Sequence, residues 1–141
     1  MVSIKQTCWY NEVLTELNYK FGNVFIFGGF VISEINEGVC FSWENHGKLI
    51  VDDVIKVTKN ESSDLIYISH KINSYSVDPW GWLGFFRSNF NLNGYGVIGY
   101  TSHSFVNTVI ESLFFKHKIN RFSNLETAIN WAKEHNCKIK T

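Results

Sequence analysis

The apolar residues of this chain change their spacing several times, and the order of those changes restricts the fold more than any single motif does. Val13 to Phe21 alternates apolar and polar residues, the pattern of a half-buried strand, and a more continuous apolar run from Val24 to Ile35 follows across Gly22-Asn23. Gly28-Gly29 predicts a bend or bulge within that run, and Asn36-Glu37-Gly38 predicts a turn at its end. From Ser42 the period becomes helical. Trp43, Gly47, Ile50, Val54 and Val57 share one stripe, with Ser42 as the N-cap and Glu44 in the first turn.

The second half repeats the alternation. Leu65 to Ser69 is a short apolar strand that ends in a polar loop. Asp78-Pro79 combines a capping carboxylate with a proline at the first helical position, which predicts a short helix or turn through Phe86. Tyr95 to Tyr100 is the next strand, and Ser102 or Ser104 caps a helix with Val106, Val109, Ile110 and Leu113 on one face. Ile119 to Phe122 is the last strand. Ser123-Asn124-Leu125-Glu126 reads as a capping box, followed by Leu125, Ala128, Ile129 and Ala132 at helical spacing.

Two or three opening strands followed by alternating helices and strands imply an α/β fold with right-handed crossovers. The expected architecture is a mixed, mainly parallel central sheet with antiparallel N-terminal edge strands and about four helices. At 141 residues the chain can bury a core without disulfides or metal, so one domain spanning 1–141 is expected.

Charge narrows the partners. Thirteen basic residues balance thirteen acidic ones, which removes the electrostatic footprint of a protein that neutralises many phosphates or docks on anionic lipid. Nucleic acid is therefore not expected as a partner. No apolar run is long enough to span a bilayer, and the opening residues lack the pattern of a signal peptide. Cys8, Cys40 and Cys137 are odd in number and widely spaced, as free thiols of a reducing compartment are. A cytoplasmic protein is the expectation. Aromatic residues make up 16% of the chain, a surplus that fits either a generous core or an exposed interface.

The chemistry-bearing residues crowd one stretch. His70, Lys71, Asn73, Ser74, Tyr75, Ser76 and Asp78 follow the apolar strand, and Trp80, Trp82, Phe85 and Phe86 come directly after. Polar loops at the carboxyl ends of buried strands are where α/β proteins keep their sites. As an enzyme, the stretch would use His70 as general base, Asp78 as its orienter, and Ser74 or Tyr75 near the reacting group. As plain structure, Asp78 caps the next helix, Asn73 and Ser74 satisfy a turn, and His70 bonds to nearby backbone.

Other motifs fall away. Gly94-Tyr95-Gly96-Val97-Ile98-Gly99 fits the dinucleotide fingerprint by letter, but that fingerprint works only between a strand and a helix N-terminus. Here Val97, Ile98 and Tyr100 read as strand residues themselves. His46, His70, His103, His117 and His135 show no metal-ligand spacing, and neither a nucleophile elbow nor a phosphate loop is present. No cofactor and no metal are expected.

Three segments carry a family resemblance: Ile35-Asn36-Glu37-Gly38-Val39 after the opening strands, the central stretch from Tyr67 to Pro79, and the ending from Phe122 to Trp131. Across about Phe21 to Trp131 the chain resembles the STAS-like superfamily, the fold of bacterial anti-sigma-factor antagonists. It is most similar to small bacterial relatives described as related to STAS and CRAL-TRIO lipid-binding domains. The resemblance implies a non-enzymatic regulatory module that binds a protein partner, a second copy, or a small apolar or anionic ligand. In the antagonists a phosphorylated serine lies in an Asp-Ser-Ser-Gly type sequence after the central strand. This chain has Asn73-Ser74-Tyr75-Ser76 in that region, which makes Ser74 and Ser76 the corresponding positions.

Overall fold

The structure is a computed structural model that describes residues 2–58, 66–73, 76–77, 94–99 and 119–140. Its centre is a six-stranded mixed sheet built from β1 (Thr15–Tyr19), β2 (Gly22–Ile26), β3 (Phe30–Ile35), β5 (Ile66–Lys71), β7 (Gly94–Gly99) and β8 (Ile119–Phe122), hydrogen-bonded in that order. The first three strands form an antiparallel meander, and β3, β5, β7 and β8 then run parallel to their neighbours. Two short strands, β4 (Cys40–Phe41) and β6 (Ser76–Val77), pair in parallel as a separate ladder. The chain is thus α/β with mostly parallel strands and an antiparallel edge, as the spacing changes predict.

Period-2 alternation sorts the side chains onto two faces. Phe25, Phe30, Ile32, Ile66, Ile68 and Ile98 point to one face, where they pack with Ile4 and with Leu125, Ala128, Ile129 and Ala132 of the helix α2 (Leu125–Lys140). Val24, Ile26, Val31 and Ile35 point to the other, where they meet Ile50 and Val54 of α1 (Lys48–Thr58) and the ring of Phe41. Each buried face has its own helix. These are the two α-helices among the described residues. The helices expected from Asp78 and from Ser102 or Ser104 lie outside them.

Several local expectations shift. Residues 4–6 and 8–12 form two short 3-10 helices, and β1 begins only at Thr15 rather than at Val13. The bend at Gly28-Gly29 is the turn between β2 and β3, with Gly29 at φ +90°, a conformation that favours glycine. Gly22 opens β2 at φ +155°, and a Cβ there would run into the Glu34 carbonyl oxygen and lie 2.8 Å from Ile35 Cα. Only glycine lets β3 approach so closely.

Ser42 does cap the first helix, since its Oγ accepts from Asn45 N–H at 3.2 Å. The helix then opens with one π turn, Trp43–Gly47, in which Gly47 N–H reaches Ser42 O at 3.0 Å. Within α1, Ile50 and Val54 are buried, while Val57, expected on the same stripe, faces solvent in the last turn of the helix. At α2 the cap falls one residue later than the capping box predicts. Asn124 Oδ1 accepts from Thr127 N–H and Thr127 Oγ1, both at 2.8 Å.

Gly94 and Gly96 explain the dinucleotide-like spacing in a different way. All six residues of β7 are buried in the sheet. A Cβ on Gly94 would lie 3.2 Å from the Trp131 ring, and one on Gly96 would lie 3.1 Å from both Trp131 and Phe122. The two glycines form a notch for the α2 indole, so the spacing records helix–sheet packing.

Candidate functional site

The carboxyl ends of β3 and β5 meet at a buried polar cluster. Ser33 pairs with Ser69 across the two parallel strands, which brings the following residues, Glu34 and His70, side by side on the α2 face. His70 Nδ1 lies 2.9 Å from Glu34 Oε2. Their side chains are 0% and 4% exposed. A carboxylate can only accept, so Nδ1 carries the proton and Nε2 holds the lone pair whenever the ring is neutral.

Glu34 has two further donors. Ser3 Oγ donates to Oε1 at 2.5 Å, and Ile4 N–H donates to Oε2 at 2.8 Å. Burial pushes the Glu34 carboxyl up, but the hydrogen bonds from His70, Ser3 and Ile4 outweigh it and hold the group below its ordinary range. The carboxylate is therefore charged and fully solvated by protein donors.

His70 and Lys71, expected in the polar loop, belong to β5 itself. Both are buried, His70 on the α2 face and Lys71 on the α1 face with Ser69. The continuous run of strand hydrogen bonds to Gly99 on β7 keeps the backbone extended past Ser69, so polarity does not mark the strand end here. Asn73 does lie in the loop, where its Nδ2 donates to Ile35 O at 3.0 Å. Ser76 opens the short strand β6 beside Cys40. Ser74, Tyr75, Asp78, Trp80, Trp82 and Phe86 lie outside the described residues. Among the described residues, Glu34 is a carboxylate within reach of His70; the orienter expected from the sequence, Asp78, lies outside them.

Glu34 was legible in principle. Phe30, Ile32 and Glu34 share one phase of β3, and a carboxylate at a core phase requires a buried partner. Ser3 and Ile4 gave a weaker signal, because the short opening stretch with Val2 and Ile4 shows no period of its own.

The exits of the two strands are tied together above this pair. Asn36 N–H donates to Phe21 O at 2.8 Å and Asn36 Nδ2 to Lys20 O at 2.9 Å, which fixes the turn after β3 to the β1–β2 hairpin. The β4–β6 ladder then continues the β3–β5 neighbourhood beyond the main sheet. Next to it, His46 accepts from Ser42 N–H at its Nδ1 at 2.9 Å, and its ring stacks on Phe41 and meets Phe21 edge-on. Burial pushes the His46 imidazole below its usual range.

Chemically, the arrangement can orient an imidazole and stiffen a strand edge. Among the described residues, no group of three or more His, Cys, Asp and Glu side chains is placed to hold a metal ion. Cys8 and Cys40 are exposed thiols. No helix of the described residues is long and apolar enough to cross a membrane. Compared with protein-family models, curated proteins and solved structures, the chain matches none.

Proposed function

We propose that the chain is a non-enzymatic binding module of STAS-like type, working in a bacterial cytoplasm through the loop that leaves β5 and the β4–β6 ladder beside it. The observation that carries this reading is the use made of Glu34. Its carboxylate accepts three protein donors and the His70 side chain is wholly enclosed, so the pair braces the sheet edge. Recognition then falls to the groups beyond the brace, Asn73, Ser74, Tyr75, Ser76 and Asp78 with the aromatic side chains Trp80, Trp82 and Phe86. The STAS-like part of the proposal rests on the sequence resemblance, and so do its partner classes: a protein, a second copy, or a small apolar or anionic ligand.

Native purification followed by intact-complex mass spectrometry tests the reading, since it detects bound ligand, phosphate on Ser74 or Ser76, and partner together. A bound species that is lost from a Trp80→Ala, Phe86→Ala variant of unchanged melting temperature is the expected result. Cellular protein that carries nothing, and a double variant that merely unfolds, would count against it.

A second reading has one observation in its favour. A carboxylate on Nδ1 is how general-base histidines are oriented, so His70 with Glu34 also fits a small enzyme, with Ser74 or Tyr75 near the reacting group. Such a base must be reachable. Modification of His70 by diethyl pyrocarbonate in the folded protein supports this reading, and protection of His70 while exposed histidines react sinks it.

A further inference from the structure

We infer that the segment Ser3–Glu12 is a releasable strap whose closure is coupled to the carboxyl edge of the sheet through a single oxygen atom of Glu34. The inference rests on the proposed working edge and assigns it a control element.

The strap is built to come away. It consists of two 3-10 helices, whose hydrogen bonds are poorer than those of an α-helix. Its outer attachments are solvent-exposed: Lys5 pairs with Glu16 at 3.1 Å and Glu12 with Lys133 at 2.9 Å, with both lysines nearly half exposed. Exposed ion pairs of this kind contribute little. Tyr10 bonds Glu16 from the surface as well and touches Phe25 edge-on. The inner attachments are the fully buried Ile4 side chain, the half-buried Trp9 and Val13, and the two hydrogen bonds to Glu34. Segments with so few buried contacts open at free energies well below that of the whole domain.

Opening of the strap reaches the edge through Glu34. Oε2 accepts both Ile4 N–H from the strap and His70 Nδ1 from β5, and Oε1 accepts Ser3 Oγ. When the strap leaves, the carboxylate keeps one of its three donors and gains water. The His70 ring then loses its dry, fixed acceptor. His70 O accepts the N–H of Ile72 at 3.0 Å, and Asn73 follows directly, bonded to Ile35 O. A looser His70 is thus transmitted to the first residues of the loop.

Amide hydrogen exchange on the whole chain tests this, with no ligand needed. The reporters are the bonded N–H groups of Gln6, Thr7 and Tyr10 in the strap and of Val13 just after it, Ile72 at the edge, and the β2 and β3 ladder as reference. The strap amides are expected to exchange at least about a hundredfold faster than the ladder. Ser3→Ala removes a donor to a charged group, so it should speed both the strap and Ile72 by roughly tenfold or more and leave the ladder unchanged. Strap amides that exchange only as fast as the ladder overturn the inference. So does a Ser3→Ala variant in which Ile72 stays at its wild-type rate, or in which every amide speeds up by one common factor. Failure of ligand or partner binding would not move these rates, so the two proposals fail separately.

Discussion

Glu34 Oε2 and His70 Nδ1 lie 2.9 Å apart at the ends of two neighbouring parallel strands, and 36 residues of sequence separate them. A charge taken out of water is tolerated only where donors replace the lost hydration, and here a ring nitrogen, a hydroxyl and a backbone N–H do so.

Glu34→Gln keeps the shape and removes the charge. The amide oxygen can take the Oε2 place and still accept from Ile4 N–H and His70, but without charge, and the NH2 group at the Oε1 place obliges the Ser3 hydroxyl to turn from donor to acceptor. Destabilisation of about 2–4 kcal/mol is expected, read from the midpoint of urea unfolding at neutral pH. A loss below about 0.5 kcal/mol would mean that the carboxylate is not the acceptor that holds these groups.

Acid should act through the same group. Burial raises the Glu34 carboxyl and the three hydrogen bonds lower it by more, so its folded value lies below the ordinary one of about 4.3. A depressed carboxyl contributes stability that is present above that value and lost as pH falls through the folded one. Unfolding midpoints should therefore drop as pH falls below the ordinary carboxyl value of about 4.3, and the drop should be smaller in Glu34→Gln. Equal slopes for both proteins would refute the assignment.

Tyr19 makes the opposite prediction at high pH. Burial and the 2.6 Å hydrogen bond to Asp53 both push its phenol well above the usual range. A raised value means stability that is present below the unfolded value of about 10 and lost as pH rises above it. Tyr19→Phe should remove part of that alkaline loss. Titration of tyrosinate absorbance should show one fewer late-ionising phenol in the variant.

The indole notch can be tested by exchanging volume. Gly96→Ala forces the tips of Trp131 and Phe122 to move from 3.1 Å and should cost about 1–2 kcal/mol. Trp131→Phe vacates part of the notch and is itself destabilising. Combined, the two should cost less than their sum by at least about 0.5 kcal/mol, as coupled neighbours do. Strict additivity would place the ring elsewhere.

The strand and helix order is readable from apolar spacing because the helices bury one face and alternate at helical period, while β3 and β5, buried on both faces, read as short apolar runs. Boundaries failed where a local device intervened, as the π turn did ahead of α1 and the Asn124 cap did at α2. The site was half legible. His70 stands out in the sequence from its place at the end of an apolar strand, while Asp78, the orienter expected for it, lies outside the described residues. Sequence proximity carries no information about which parallel strand lies alongside. That choice is made by the sheet, which sets Glu34 beside His70.

The Glu34–His70 contact also bears on how the chain is threaded. The meander is local and can form first, which leaves the Glu34 carboxylate waiting in a strand otherwise lined by Phe30 and Ile32. Sliding β5 along β3 by one residue would turn His70 to the opposite side of the sheet, and sliding it by two would set Ile68 or Ile72 against a carboxylate that lacks its ring donor. Only one alignment gives the carboxylate its ring donor. The pair therefore proofreads the docking of the parallel half of the sheet onto the antiparallel half, rejecting misaligned sheets that its apolar neighbours alone would accept.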